Sequence, residues 1–527
     1  MSTDGRFRHI LLGAAAALAL TVATSASAAI PKGPPAASPK AGGGGADAAV
    51  ARAMERARAG DCKSVLALLD PVVASGVGKG SASRFSAQLL RMPCLAGEGR
   101  DGEIAPVLAE LKAQAPGNPL VQGFQIFLDA DAGRYAEAAD GLAAIADQRS
   151  RALSLMPGDL WRAIAQKLTV AGDVQRRDRV SLALALADWE PADRPELSET
   201  LAADGVGTLL DKRAVDDARQ LLSRVHRPNY LWEMAIQRRY AVLWPEVEAR
   251  IGAQGGAAID RFARSSLSAY ADAPDDQQAT LDAARAFLFL GRFDDVSVTA
   301  ATTKVSPDMS EEQVGTVLIE ANALAAGGHR AQALSRLKPF ATPAFVAAPE
   351  AAGALIQLAE LFDQDGRFDE ELAVARTGVS SRADYLSPYG LAWLRRNEVC
   401  ALAGLKRPAE EKAAGDVLKA SASDNQAAAI EGLLCAGRDD EAAAIAIATL
   451  ATHDGADRLA DQFQPDGALL PHPASRLRAL WARLLARPDV KAAFERAARI
   501  LPKTYWPATT PRALPVPAAG TDAATTT

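Results

Sequence analysis

The chain has 527 residues, of which 49% are hydrophobic but only 5% aromatic, with 58 basic residues against 64 acidic ones and a formal net charge of −6. That balance leaves no electrostatic footprint for nucleic acid. The length admits several ordinary domains or one continuous repeat array.

The first 28 residues read as a secretory signal peptide. Arg6 and Arg8 give a positive start, ILLGAAAALALTVA is the apolar stretch, and Ala26, Ser27 and Ala28 supply the small residues of a cleavage site. The alternative is an uncleaved membrane anchor, for which the apolar run is short and weakly hydrophobic. No cysteine lies near the site, which argues against a lipid-anchored form. Removing Arg6, Arg8 and Asp4 with this segment leaves a formal charge of −7. No later stretch offers about 20 unbroken apolar residues, so the mature chain is expected to have no transmembrane segment. The expected location is the periplasm, with the extracellular medium as the alternative.

Residues 29–46, AIPKGPPAASPKAGGGGA, are rich in proline and glycine and predict a flexible linker. A first array of helix pairs is expected over 47–256. It contains NYLWEMAIQRRYAVLWPEVEAR (229–250), the densest aromatic and arginine stretch of the chain. Gly252, Gly255 and Gly256 follow and mark the expected bend or boundary. Beyond them AAIDRFARSSLSAYADA (257–273) reads as an extra or irregular helix. A second array is expected over 257–506. It ends in a polar, proline-marked stretch (452–474) and two helices, ASRLRALWARLLA and DVKAAFERAARIL, whose charged faces suit a terminal cap. From 507 to 527 the Pro/Ala/Thr composition reads as a disordered tail. No alternating apolar and polar run bounded by turn signals stands out, so the chain is expected to be all-α.

One stretch shows the unit of this organisation. In LIQLAELFDQDGRFDEELAVA (355–375), Leu355, Leu358, Ala359 and Phe362 recur at helical spacing and share one face. Gly366 can end that helix in a left-handed conformation. Asp369, Glu370 and Glu371 then fall in the first turn of a second helix, where the helix dipole favours negative charge. The same turn recurs as AGRYAEAADGL at Gly133, LGRFDDV at Gly291, GGHRAQALSRL at Gly328 and AGRDDEAAAIA at Gly437. Weaker versions sit at Gly60, Gly99, Gly172, Lys212, Trp244-Pro245 and Gly404. The steps run from 32 to 40 residues, with one gap of 47 between Trp244 and Gly291. Two helices per step predict an α-solenoid of about eleven antiparallel helix pairs.

These turns resemble those of the tetratricopeptide-repeat superfamily, whose units carry a G-[RK]-[YF]-[DE]-E-A turn between two helices. Ala138, Ala333 and Ala442 match the small residue that lets the second helix approach its neighbour, whereas Val296 and Glu371 depart from it. The resemblance covers most of residues 47–500. The large aromatic and the glycine expected in the first helix are mostly absent.

Four cysteines remain, Cys62, Cys94, Cys400 and Cys435, in two couples each about one repeat apart. In an oxidising compartment they pair most simply as Cys62–Cys94 and Cys400–Cys435, one of three connectivities. Each bridge would add about 3–4 kcal/mol in the chain-entropy account. The alternative is four buried thiols packing as small hydrophobes.

The motifs that would carry chemistry are weak. His226, His329, His453 and His472 show no metal-ligand spacing, so neither cofactor nor metal is expected. Gly76-Val77-Gly78-Lys79-Gly80-Ser81 superficially resembles a phosphate loop, but Val73 stands where its first glycine belongs and Gly80 where Ser or Thr belongs. Ser335 with Lys338, Ser423-Asp424-Asn425 and Lys503-Thr504 are fragments of the serine β-lactamase motif set without its sheet. The Glu-Ser dipeptide of lytic transglycosylases occurs nowhere. The chain is therefore expected not to be an enzyme. An enzyme of unrecognised class would need a polar cleft holding a strongly perturbed carboxylate pair.

What remains is surface. Tyr230, Trp232, Arg238, Arg239 and Trp244 form one candidate partner-binding group, and Tyr385, Tyr389, Trp393, Arg395 and Arg396 another. Tyr, Trp and Arg dominate protein hot spots, although the same spacing suits core aromatics with solvated arginines. The expected function is a non-catalytic periplasmic scaffold or adaptor whose repeats bind protein partners of an envelope complex. The alternative is a polysaccharide-export or outer-membrane assembly adaptor, with aromatics stacking on sugars.

Overall fold

Where the glycine series predicts a reversal, the backbone enters the left-handed region. In this computed structural model, which describes residues 43–74, 81–345, 351–382, 386–469 and 475–515, Gly60, Gly133, Gly291, Gly366 and Gly437 have φ between +68° and +74°. At each, the next residue's N–H donates to the carbonyl five positions back: Asp61 to Arg56 (3.0 Å), Arg134 to Asp129 (2.7 Å), Arg292 to Phe287 (2.9 Å), Arg367 to Phe362 (2.9 Å) and Arg438 to Leu433 (2.8 Å). This bond satisfies an orphan carbonyl at the helix end and is the Schellman closure. The turn expected at Lys212 uses Arg213 (φ +60°), and the one expected at Gly404 uses Lys406 (φ +56°). Gly404 serves a different purpose, because a Cβ there would sit 2.5 Å from the Phe368 ring. The closure is also made at Arg149 and Asp188, where no glycine signals it. The turn expected at Trp244-Pro245 is not one: these residues open the helix Trp244–Ile251, whose first turn suits proline.

The arginine and acid of the turn motif clamp the entry of the second helix. Arg100 reaches Glu103 (2.6 Å), Arg367 reaches Glu370 (3.0 Å), Arg407 reaches Glu410 (2.7 Å), Arg438 reaches Glu441 (2.6 Å), and Arg292 reaches Asp295. At a solvated surface such clamps add little to stability, because water and salt screen the pair.

The described residues form 26 α-helices and no strand, and one isolated bridge pairs Gln237 with Ala498. Helices pack chiefly on the next one or two in the chain. Leu355, Leu358, Ala359 and Phe362 are buried, as their spacing predicts. Ala138, Val296, Ala333, Glu371 and Ala442 are all buried, so this position is interior in each unit whatever its residue. Cys62–Cys94 and Cys400–Cys435 are disulfide-bonded, with Cα atoms 4.9 Å and 5.0 Å apart, which removes the four-thiol alternative.

The chain divides into two compact units, 1–225 and 226–527. The expected boundary at Gly252–Gly256 therefore lies inside the second unit. Residues 257–273 belong to a regular helix, Gly256–Asp272.

The second unit's end returns to its beginning. Arg499 donates from its backbone N–H to the Ile236 carbonyl (2.7 Å) and from Nε to the Ala235 carbonyl (2.7 Å). Those carbonyls end the helix Pro228–Ile236 and have no intrahelical partner. The Tyr505 hydroxyl donates to Glu248 (3.1 Å), and Arg512 binds both oxygens of Asp260 and, through its N–H, the Leu290 carbonyl (2.8 Å). The helix Pro488–Ala497 leads directly into this returning segment. Arg512, expected within the tail, is thereby held on this unit. At the other end, helix Gly43–Arg58 takes in the last residues of the expected linker. The signal segment, residues 1–28, lies outside the described residues. Among the described residues no helix is long and apolar enough to cross a membrane.

Candidate functional site

The two aromatic–arginine stretches have different fates. In the first, Trp232 is 1% exposed and packs edge-on against Phe289 at 5.8 Å, so it presents no surface to a partner. Arg238 donates to the Glu495 carbonyl (3.1 Å), and its guanidinium lies 5.3 Å from the Trp244 ring. Arg239 pairs with Asp457 (3.2 Å). The Trp244 indole donates to the Met234 carbonyl (3.1 Å), and the Arg499 guanidinium stacks 3.5 Å over its ring. Tyr230 is half-buried. Arg238 and Trp244 thus meet Glu495 and Arg499 of the same unit, and Arg239 meets Asp457.

The second stretch keeps an open edge. Tyr389 is 55% exposed and stands edge-on to the half-buried Trp393 at 6.4 Å, whereas Arg395, also half-buried, falls on a different face of the same helix. Tyr385 lies outside the described residues. Arg396 is removed from the candidate surface, because it is fully buried under the Trp393 ring at 4.7 Å.

Beneath that edge is a polar cluster no single motif announces. Arg396 pairs with Glu360 and with Glu431 (3.3 Å), and the Trp481 indole donates to Glu431 (2.9 Å). Burial works against the Arg396 charge, but Glu431 and Glu360 outweigh it and raise its pKa. Arg476 grips Asp363, with its Nε 2.8 Å and 3.0 Å from the two carboxylate oxygens. Glu371 faces this pair and is fully buried. Burial, then the Asp363 carboxylate, pushes Glu371 up to about 9, against the pull of Arg396 and Arg476. Its protonated carboxyl can donate to Asp363, which explains why neither oxygen has a donor of its own. The expectation that Glu371 is a dipole-favoured charge in a first turn is corrected: Glu370 fills that role on Arg367, and Glu371 points inward.

Glu371 is a carboxyl pushed up by burial and by the Asp363 carboxylate beside it, yet both side chains are sealed from solvent. Among the described residues no three His, Cys, Asp or Glu side chains are placed to hold a metal. Ser81 and Asn425, members of the weak catalytic motifs, cap the helices Ala82–Gly97 and Gln426–Cys435. Sequence reasoning missed Asp363, Arg476 and Glu431 as a group. The Asp363–Arg476 pair spans 113 positions and leaves no local signal. Glu371 did leave one, as a glutamate standing where Ala138, Ala333 and Ala442 stand.

No protein-family model matches this chain, and no curated protein matches it.

Proposed function

We propose that this chain is a non-catalytic adaptor of the periplasm, built as a TPR-like α-solenoid and binding protein partners of an envelope complex. The observation that carries the reading is the repeated Schellman turn with its arginine–acid clamp, joined to packing between chain neighbours. Stacks of such pairs expose long surfaces suited to peptide segments and need no deep active site. Two disulfides with no free cysteine support an oxidising compartment. The sealed Asp363–Glu371 pair supports a non-catalytic role, since a reacting group has to meet its substrate. Burial of Trp232 weakens the polysaccharide-export alternative by taking one aromatic from the stacking surface.

The open edge at Tyr389 and Trp393 is the surface to test. A photo-crosslinking residue at Tyr389, in the chain expressed with its own leader, should give a discrete protein adduct in the envelope fraction. Folded, exported protein that yields no adduct there, while Trp393→Ala abolishes binding to isolated glycans, would replace this reading with the polysaccharide one.

A further inference from the structure

The Cys400–Cys435 bridge and the Arg396–Glu431 ion pair are neighbouring rungs between the same two helices of the second unit. Arg396 stands one turn before Cys400 on helix Pro388–Gly404, and Glu431 one turn before Cys435 on helix Gln426–Cys435. A four-residue step returns to the same helix face, so both rungs lie on one seam. Each joins positions 35 apart, so the two helices run in the same direction in a single register. They approach closely there, because a Cβ at Gly432 would lie 3.7 Å from the Arg396 Cα. The Trp481 indole ties a third helix, Arg476–Leu485, to the seam by donating to Glu431 (2.9 Å).

The two rungs act differently. Arg396 and Glu431 are both buried, and taking the two charges out of water costs about what their attraction returns. The ion pair therefore fits a closed seam without holding it closed. The covalent bridge one turn away supplies the hold, because it limits how far the two helices can part. Cys62–Cys94 has no such neighbour: the acids facing Arg91, Asp70 and Glu103, keep 35% and 46% of their side chains exposed. We propose that Cys400 and Cys435 form a redox gate, whose oxidation closes the seam over the buried ion pair and whose reduction opens it to water. Cys435, at the end of its helix, is half-buried and Cys400 fully buried, so exchange enters at Cys435. In closing, the Cys435 thiolate attacks an external disulfide and releases one thiol. The Cys400 thiolate then displaces the second thiol and completes the bridge. Two electrons pass to the external disulfide, and the two cysteine protons end on the released thiols. The proposal holds in any oxidising compartment and does not rest on the adaptor reading.

Hydrogen exchange of residues 388–404 and 426–435 tests this in the full chain. The bridge-free variant combines Cys400→Ala with Cys435→Ala, and a second variant adds Arg396→Met and Glu431→Gln, which removes both charges and keeps an acceptor for Trp481. Exchange over both helices should be about tenfold faster in the bridge-free variant and return to near the parent rate once the charges are gone. Parent-like protection without the bridge overturns the proposal. So does fast exchange that persists in the charge-free variant, since the bridge would then be a cross-link indifferent to the ion pair. Removing the other bridge, with Cys62→Ala and Cys94→Ala, should leave these helices as protected as in the parent, and equal acceleration there overturns the assignment to this seam. If the bridge-free variant does not fold, the charge-free variant decides: its folding supports the gate, and its failure to fold overturns it.

Discussion

Glu371 carries a proton at neutral pH in the folded chain and loses it on unfolding. Its ordinary value is 4.5 and its folded value about 9. The stability linked to it is therefore fully present below about pH 4.5 and is lost as pH rises toward 9, at up to about 1.4 kcal/mol per pH unit. Glu371→Gln keeps the shape and the donor to Asp363 without the ionisation. The variant should melt higher than the parent at neutral pH, with a gap that widens from pH 5 to pH 8 in a Tm series. A constant or inverted gap would show that Glu371 is charged where it lies. Arg396 behaves oppositely, because its charge is matched by Glu360 and Glu431. Arg396→Met should cost about 3–5 kcal/mol, since it leaves Glu431 buried with only the Trp481 indole as partner. At this scale residue type was legible and orientation was not. Trp232 and Arg396 suit a binding surface by composition, and the fold buries both.

At the scale of helix and turn, two glycines of one expected series do different work. Gly366 holds a left-handed backbone with open space around it, so Gly366→Ala should cost about 1–2 kcal/mol from conformation alone. Gly404 lets Phe368 lie against its helix, so Gly404→Ala should cost through crowding, about 1–3 kcal/mol before the better helix propensity of alanine is credited. Pairing each with Phe368→Leu in a double-mutant cycle separates them. The second substitution should relieve Gly404→Ala and leave Gly366→Ala unchanged in chemical denaturation. Turns of this kind were the most legible feature of the sequence, because a left-handed residue between two apolar faces is local chemistry. The misses share a cause. Arg149 and Asp188 take the same conformation without glycine, and Trp244-Pro245 looks like a turn but starts a helix. In each case neighbouring packing outweighs a modest local preference.

At the scale of the second unit, the decisive event is the return of residues 498–512 to the helices around 228–260. The Arg499 side chain meets the Ala235 carbonyl, the Glu248 carboxylate and the Trp244 ring, while its backbone N–H holds the Ile236 carbonyl. Arg499→Ala should destabilise this unit by about 2–3 kcal/mol, from the lost charge-assisted bonds and ring contact. Hydrogen exchange of residues 228–251 should quicken in that variant, and unchanged protection there would mean the segment only rests on a fold that closes without it.

Taken by itself, the sequence determined the helical class, the place of most turns and the buried face of the helix over 355–362, and it made Cys62–Cys94 and Cys400–Cys435 the simplest pairing of three. All of these depend on neighbours within one repeat, where spacing and side-chain type act directly. Only the tertiary structure decided that the boundary lies at 225–226, that the C-terminal residues close on the start of the second unit, and which charges are sealed inside. Two of those outcomes rest on residues more than a hundred positions apart, Asp363 with Arg476 and Ala235 with Arg499. Contacts at that range impose no periodicity on the chain, so they become visible only once the helices have packed.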